Sequence, residues 1–190
     1  MSARAAAAEA TRLRVVEAAA AAFDAHWYDD VTLRGIAADA GVALQTVVNH
    51  FGTKEQLYAA AAELSSQRVH DARWQVAPGD VDAAVDVVVD GYERHGDAYL
   101  RAQAVEDRIA VVKPAVERGR RLHEEWVAAV LGAALEGLPP AARRRRLAQL
   151  VVATDVLTWK LLRRDKGLSR DETTLAMREL VLALHPTQNH

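Results

Sequence analysis

The sequence predicts an all-α protein, and three observations carry that prediction. Only 10 glycines and 5 prolines interrupt 190 residues, which leaves long stretches free of helix breakers. Hydrophobic residues make up 51% of the chain but aromatics only 5%, and alanine, the best helix former, supplies much of the difference. Apolar residues recur at three- and four-residue steps, as one buried helical face requires. No apolar run reaches the roughly 18 residues of a membrane span, and the alanine-rich start is broken by Arg4, Glu9, Arg12 and Arg14, unlike a signal peptide. With no cysteine, disulfides and thiolate metal sites are excluded, and the expected setting is a reducing cytoplasm.

In chain order, residues 1–10 are alanine-rich and either extend the first helix or form an arm. The first helix is expected from about Thr11 to His26, with Leu13, Val16, Ala20 and Phe23 on one stripe. Trp27 or Tyr28 then closes the base of the N-terminal region. Thr32 can cap a short helix with Leu33, Ile36, Ala37 and Ala40 at helical spacing, and Gly41 suits its left-handed end. A second short helix follows from about Ala43 to His50, with Val42, Val47 and Phe51 turned inward. Two short helices across a glycine turn form a helix-turn-helix, whose second helix enters the DNA major groove.

Thr53 with Gln56 forms a capping box for a long helix from about Lys54 to Trp74, on the order of 30 Å. Beyond Pro78-Gly79, a helix is expected from Val81 to about Arg94, with Val85, Val88, Val89 and Tyr92 inward. Gly96 is read as separating it from a segment reaching about Ala110. Pro114 suits the first turn of a helix continuing to about Leu135. After Gly137 and Pro139, one helix is expected from Pro140 to Asp165, ended by Gly167. Ser169 and Glu172 form a capping box for the last helix, whose apolar face holds Leu175, Leu180, Val181 and Leu184 before Pro186.

The run Thr32-Leu33-Arg34-Gly35-Ile36-Ala37-Ala38-Asp39-Ala40-Gly41-Val42, followed by Gln45-Thr46-Val47-Val48-Asn49-His50-Phe51-Gly52-Thr53-Lys54-Glu55-Gln56-Leu57, resembles the DNA-binding head of TetR-family transcriptional regulators. The match spans roughly Leu13 to Tyr58. It departs from the family pattern at Gly35, usually acidic or larger, at Ala43, usually a small hydroxyl residue, and at Val48, usually a phosphate-contacting tyrosine. The resemblance implies a head over residues 1–58 and an effector-binding and dimerisation domain over residues 59–190. It further implies a homodimer on a palindromic double-stranded DNA operator, repressing until a small-molecule effector arrives. No cofactor, metal or membrane partner is implied.

Candidate DNA-contacting residues are Arg34, Leu44, Gln45, Thr46, Asn49, His50 and Lys54. Gln45 can pair with adenine through two hydrogen bonds, Thr46 and His50 can meet a phosphate or a thymine methyl, and Lys54 opens a helix beside the groove. Tyr92, His95, Tyr99, Trp126 and Trp159 are candidates for an effector pocket, their ring walls ending in hydrogen-bonding tips. The dimer seam is expected on the last two helices through Leu157, Leu161, Met177, Leu180, Val181 and Leu184.

Other chemistries find little footing. Glu93, His95 and Asp97, like His123 with Glu124 and Glu125, diverge around a helix instead of converging on a metal. No serine lies in a nucleophile elbow, and the carboxylate neighbours Glu106-Asp107 and Glu124-Glu125 point about 100° apart, so no enzyme is expected. The basic run Arg143 to Arg146 reads as solvated surface. Over residues 1–60, five basic side chains face seven acidic ones, which predicts modest DNA affinity per head and reliance on two heads. The competing reading is a helical ligand- or partner-binding protein with weak or lost operator binding.

Overall fold

The computed structural model describes residues 3–185, and every regular element among them is helical. The nine α-helices are α1 (Ala3–Ala25), α2 (Leu33–Asp39), α3 (Leu44–Phe51), α4 (Lys54–Arg73), α5 (Val81–Val105), α6 (Val112–Val130), α7 (Pro140–Ala153), α8 (Val156–Lys160) and α9 (Arg170–Leu182). The described chain forms two compact units, one from residues up to 68 with 97–117, the other from 69–96 with residues from 118 onward. The predicted stop at Pro186 lies outside the described residues.

In the first unit, α1 takes up the alanine-rich stretch and starts well before Thr11. Its buried face is Val15, Val16, Ala19 and Ala20; Leu13, assigned to that face from sequence, is 47% exposed. The face is rotated toward small side chains, which let α2 and α3 approach closely with Ile36, Ala37, Val47 and Phe51. Leu57 and Ala61 of α4 complete this core. A second cluster joins Tyr58, Val105 and Val112 with Phe23 and Tyr28. Tyr28 stacks on Phe23 at 5.7 Å and meets Tyr58 edge-on at 5.4 Å, so Tyr28 is the aromatic seal while Trp27 stays exposed.

In the second unit, four sequence expectations change. Gly96 does not end a helix: α5 runs through it without a break. A β-carbon built at Gly96 would stand 2.5 Å from the Trp159 ring, so this glycine serves close packing and not helix termination. The single helix expected from Pro140 to Asp165 is broken at Thr154 and Asp155. The Thr154 hydroxyl donates to the Leu150 carbonyl at 2.9 Å, and Asp155 accepts from Leu157 N at 2.8 Å, capping α8. Short polar side chains compete here with the helical ladder. The chain then widens into a π-helical turn at Leu161–Asp165.

The third change concerns α9. Its capping box forms as expected, with Ser169 Oγ accepting from Glu172 N at 3.2 Å and Glu172 accepting from Ser169 N at 2.8 Å. Thr173, Met177 and Val181, four residues apart, are the buried face. Met177 and Val181, assigned from sequence to a subunit seam, are therefore core residues of their own chain, both fully buried. Leu180 is 46% exposed, with Leu175 and Leu182 beside it in sequence also exposed; Leu157 and Leu161 are exposed as well, and Leu184 is half-buried. The helix expected to reach Leu135 ends at Val130 and tightens into a 3-10 turn at Gly132–Leu135.

Candidate functional site

The helix-turn-helix is set by local chemistry. Thr32 Oγ1 accepts from Gly35 N at 3.0 Å and starts α2, and Gly41 takes φ +65°, which lets the chain turn into α3. Gly35 leaves only half of a capping box in place. Ala43 starts α3 without a side-chain hydrogen bond, as the missing hydroxyl predicts. Val47 and Phe51, four residues apart, anchor α3 in the core. Gln45, Asn49 and His50 are therefore exposed, Thr46 is half-buried, and Leu44 packs partly against the core. Val48 is 37% exposed and offers no hydrogen-bond donor toward solvent. Arg34 on α2 is exposed.

Two contacts, one within α3 and one made by Lys54, lay beyond the reach of sequence. Gln45 Nε2 donates to Asn49 Oδ1 at 2.8 Å, so two candidate base-reading amides are tied together one turn apart. At the start of α4, Gln56 N donates to Thr53 Oγ1 and Thr53 N to Gln56 Oε1, each at 3.3 Å, which completes the expected box. The Lys54 ammonium lies 4.3 Å from the Tyr28 ring centre and donates to the Asp29 carbonyl at 3.5 Å. Burial there draws the Lys54 pKa below the ordinary lysine value, against the opposing pull of Asp29, Glu55 and Asp30. Burial, reinforced by Glu55, pushes the Tyr28 hydroxyl up to about 12.

Among the body candidates, Tyr92, Trp126 and Trp159 are buried, His95 is half-buried, and Tyr99 falls in the first unit, apart from the other four. The polar tips of the buried rings are engaged. Tyr92 donates to the Thr154 carbonyl at 3.0 Å, Trp126 to the Arg73 carbonyl at 2.9 Å, and Trp159 to Glu93 at 2.8 Å. Arg163 donates to the same Glu93 oxygen at 3.0 Å.

His123, which sequence reasoning set aside, stands at the centre of this cluster. Arg73 lies 2.9 Å from its Nδ1, and the Thr154 hydroxyl 3.1 Å from its Nε2. Arginine only donates, so Nδ1 is the acceptor and the ring proton sits on Nε2, facing Thr154. Burial first and the Arg73 charge second press the His123 pKa down to about 3, with the Val151 backbone pulling the other way. No sequence signal marks His123 for this place, because its hydrogen-bond partners come from α4 and from the break after α7. Among the described residues, no group of three His, Asp or Glu side chains could hold a metal ion.

A helix-turn-helix whose second helix buries Val47 and Phe51 and exposes a polar row has the form of a DNA-binding head. The family model described as bacterial regulatory proteins, tetR family, matches residues 15–61. No curated protein matches the chain by sequence. A TetR-family transcriptional regulator from Streptomyces coelicolor superposes with a TM-score of 0.74 at 20% identity, over 93% of this chain and 80% of that one. The multidrug binding protein EbrR, solved with imidazole, gives 0.58 at 21% identity over 94% and 92%. A TetR transcriptional regulator from Rhodococcus sp. RHA1 gives 0.56 at 19% identity over 95% and 99%. The chain has the N-terminal domain and the helical fold of the TetR-family transcriptional regulators. Among the described residues, no helix is long and apolar enough to cross a membrane.

Proposed function

We propose that the protein is a sequence-specific regulator that binds a palindromic operator as a homodimer and represses until a small-molecule effector releases it. Residues 1–58 serve as the head and residues 59–190 as the effector-binding and dimerisation domain. The observation that carries this reading is α3 itself: Val47 and Phe51 fix one face inward, so Gln45, Asn49 and His50 project together as a polar row. Thr46, Leu44, Arg34 and Lys54 complete the DNA-facing set, with Lys54 and Arg34 bringing the charge that meets phosphate.

The homodimer is supported by the exposed leucines Leu157, Leu161, Leu175, Leu180 and Leu182 with Val152, which a single chain leaves in water. On this reading Leu157, Leu161 and Leu180 join the subunits, whereas Met177 and Val181 hold the surface up from beneath. Effector binding by Tyr92, His95, Trp126 and Trp159, with Tyr99 left out because it belongs to the other unit, would favour one body conformation and so alter the spacing of the two heads. Selecting bound sequences from a random DNA pool tests the function directly. A two-fold symmetric motif with half-sites about one helical turn apart, ~34–36 Å, is expected. Failure to enrich any sequence, even at low salt, would leave the helical ligand- or partner-binding reading in its place.

A further inference from the structure

We propose that the body domain holds an anion site centred on Arg73, and that its ligand is a small carboxylate with an apolar body. The inference rests on reading residues 59–190 as effector-binding, and specifies the charge and shape of what they take.

Arg73 is the last residue of α4 and is half-buried. Its guanidinium carbon lies 5.3 Å from the Trp126 ring centre and 5.8 Å from that of Tyr92. Its hydrogen bonds go to His123 Nδ1 at 2.9 Å and, at 3.5 Å, to the Tyr92 hydroxyl. None of these partners carries negative charge. The contrast lies within the same unit: the half-buried Arg163 rests on Glu93 at 3.0 Å, and Arg178 on Asp82 at 2.7 Å. The imidazole that receives Arg73 cannot compensate it, because both ring nitrogens are committed to neutral hydrogen bonding.

A desolvated cation without a counter-ion is costly, and ring faces repay only part of that cost. Rings attract a guanidinium through its flat face and leave its in-plane donors open. The hydrogen bonds of Arg73 leave from Nη1 and Nη2, and among the described residues Nε makes none. The remaining fork therefore offers the coplanar N–H geometry that a carboxylate matches with two parallel hydrogen bonds. Trp126 and Tyr92 beside it suit an apolar or aromatic ligand body better than a hydrated phosphate, for which one guanidinium and no lysine is a poor complement.

The full-length protein is titrated with benzoate, benzamide, benzylamine and inorganic phosphate, with binding read by calorimetry and by thermal shift. Benzoate is expected to bind at least about tenfold more tightly than its neutral isostere benzamide, the smallest gap one charge-assisted pair should produce. R73Q should erase that preference and R73K should keep only part of it, since lysine keeps the charge and loses the fork. R73K also serves where R73Q fails to fold, as judged by circular dichroism. Equal binding of benzoate and benzamide, tighter binding of phosphate than of benzoate, or unchanged benzoate binding by a folded Arg73 variant overturns the proposal. Binding of benzamide or benzylamine with benzoate silent sinks the anion assignment and leaves effector binding standing; silence from all four probes sinks both.

Discussion

Lowering the pH should destabilise this protein well above the range where carboxylates titrate, and His123 is the reason. In the folded chain its pKa is pressed from 6.5 to about 3, so the ring stays neutral; in the unfolded chain it titrates near its ordinary value. A depressed histidine pKa means that the unfolded state binds the extra proton, so stability falls as pH drops below 6.5. Each pH unit below that point costs about 1.4 kcal/mol, and the loss between about pH 7.5 and pH 5 is roughly 2 kcal/mol. His185, drawn below its ordinary value by burial and by Arg146, contributes in the same direction. Asp29, Glu55 and Glu172 have lowered pKa values, so they weaken the fold only at more acidic pH, through about 4.5 and below. Urea unfolding at fixed protein concentration across this range measures the slope. His123→Gln, whose amide oxygen can still accept from Arg73, should lower stability near neutral pH yet remove most of the slope. A wild type with flat stability down to about pH 5, or a variant with the wild-type slope, would refute the neutral buried imidazole.

Four further outcomes are expected. Gly96→Ala should destabilise by about 1–3 kcal/mol because its methyl meets the Trp159 ring, whereas Gly91→Ala, with open space around it, should gain up to about 1 kcal/mol; thermal unfolding of both decides. Gln45→Ala and Asn49→Ala should be non-additive by about 0.5 kcal/mol or more in a double-mutant cycle of operator binding, since each amide holds the other. Lys54→Ala should weaken binding alike for all sequences and reduce the logarithmic salt slope by roughly 0.9; an unchanged slope would place Lys54 off the phosphates. Leu180→Asp should give folded monomers with collapsed operator affinity, while Val181→Asp should unfold the chain; sedimentation with circular dichroism separates the two.

The head was legible because its signals are local. Thr32, Gly41, Thr53 with Gln56, and the spacing of Val47 and Phe51 each act within a few residues, and each appears in the structure as read. Local polar chemistry broke the helix expected through Thr154 and Asp155, but at Gly96 and Leu13 a distant partner decided the outcome. Gly96 looks like a helix breaker until Trp159, far along the chain, is seen to occupy the space of its missing β-carbon. Leu13 fits a three-four stripe as well as Val15 does, and only the close approach of α2 and α3 selects the face with smaller residues. In α9 the apolar pattern was wide enough to hold two faces, one buried through Met177 and Val181 and one exposed through Leu180. Periodicity alone could not divide them. The Arg73–His123–Thr154 chain joins residues 31 to 50 positions apart, and no spacing rule connects them.

The electrostatics of the head bear on why two of them would be needed. Counted along the first 60 residues the head is acidic, but the folded first unit ties up part of that acidity. Arg108 meets Asp29 at 2.6 Å, and Arg68 meets Glu17 at 2.9 Å; both arginines come from beyond residue 60. These pairs are exposed, so they add little to stability. Their effect is to soften the negative potential around residues that start the helix-turn-helix and support it from behind. Neither pair adds charge to α3 itself; Arg12 lies 5.5 Å over the Phe51 ring of α3, and on the proposed reading Arg34 and Lys54 are the cations that meet phosphate. A single head would thus release few counterions and bind weakly. On the proposed reading, joining two heads through Leu157, Leu161 and Leu180 makes the second contact intramolecular, which raises affinity without any new contact to DNA. The exposed leucines of the body and the sparse charge of the head are then two sides of one requirement: affinity that depends on holding the heads at the right spacing is affinity that a change in the body can remove.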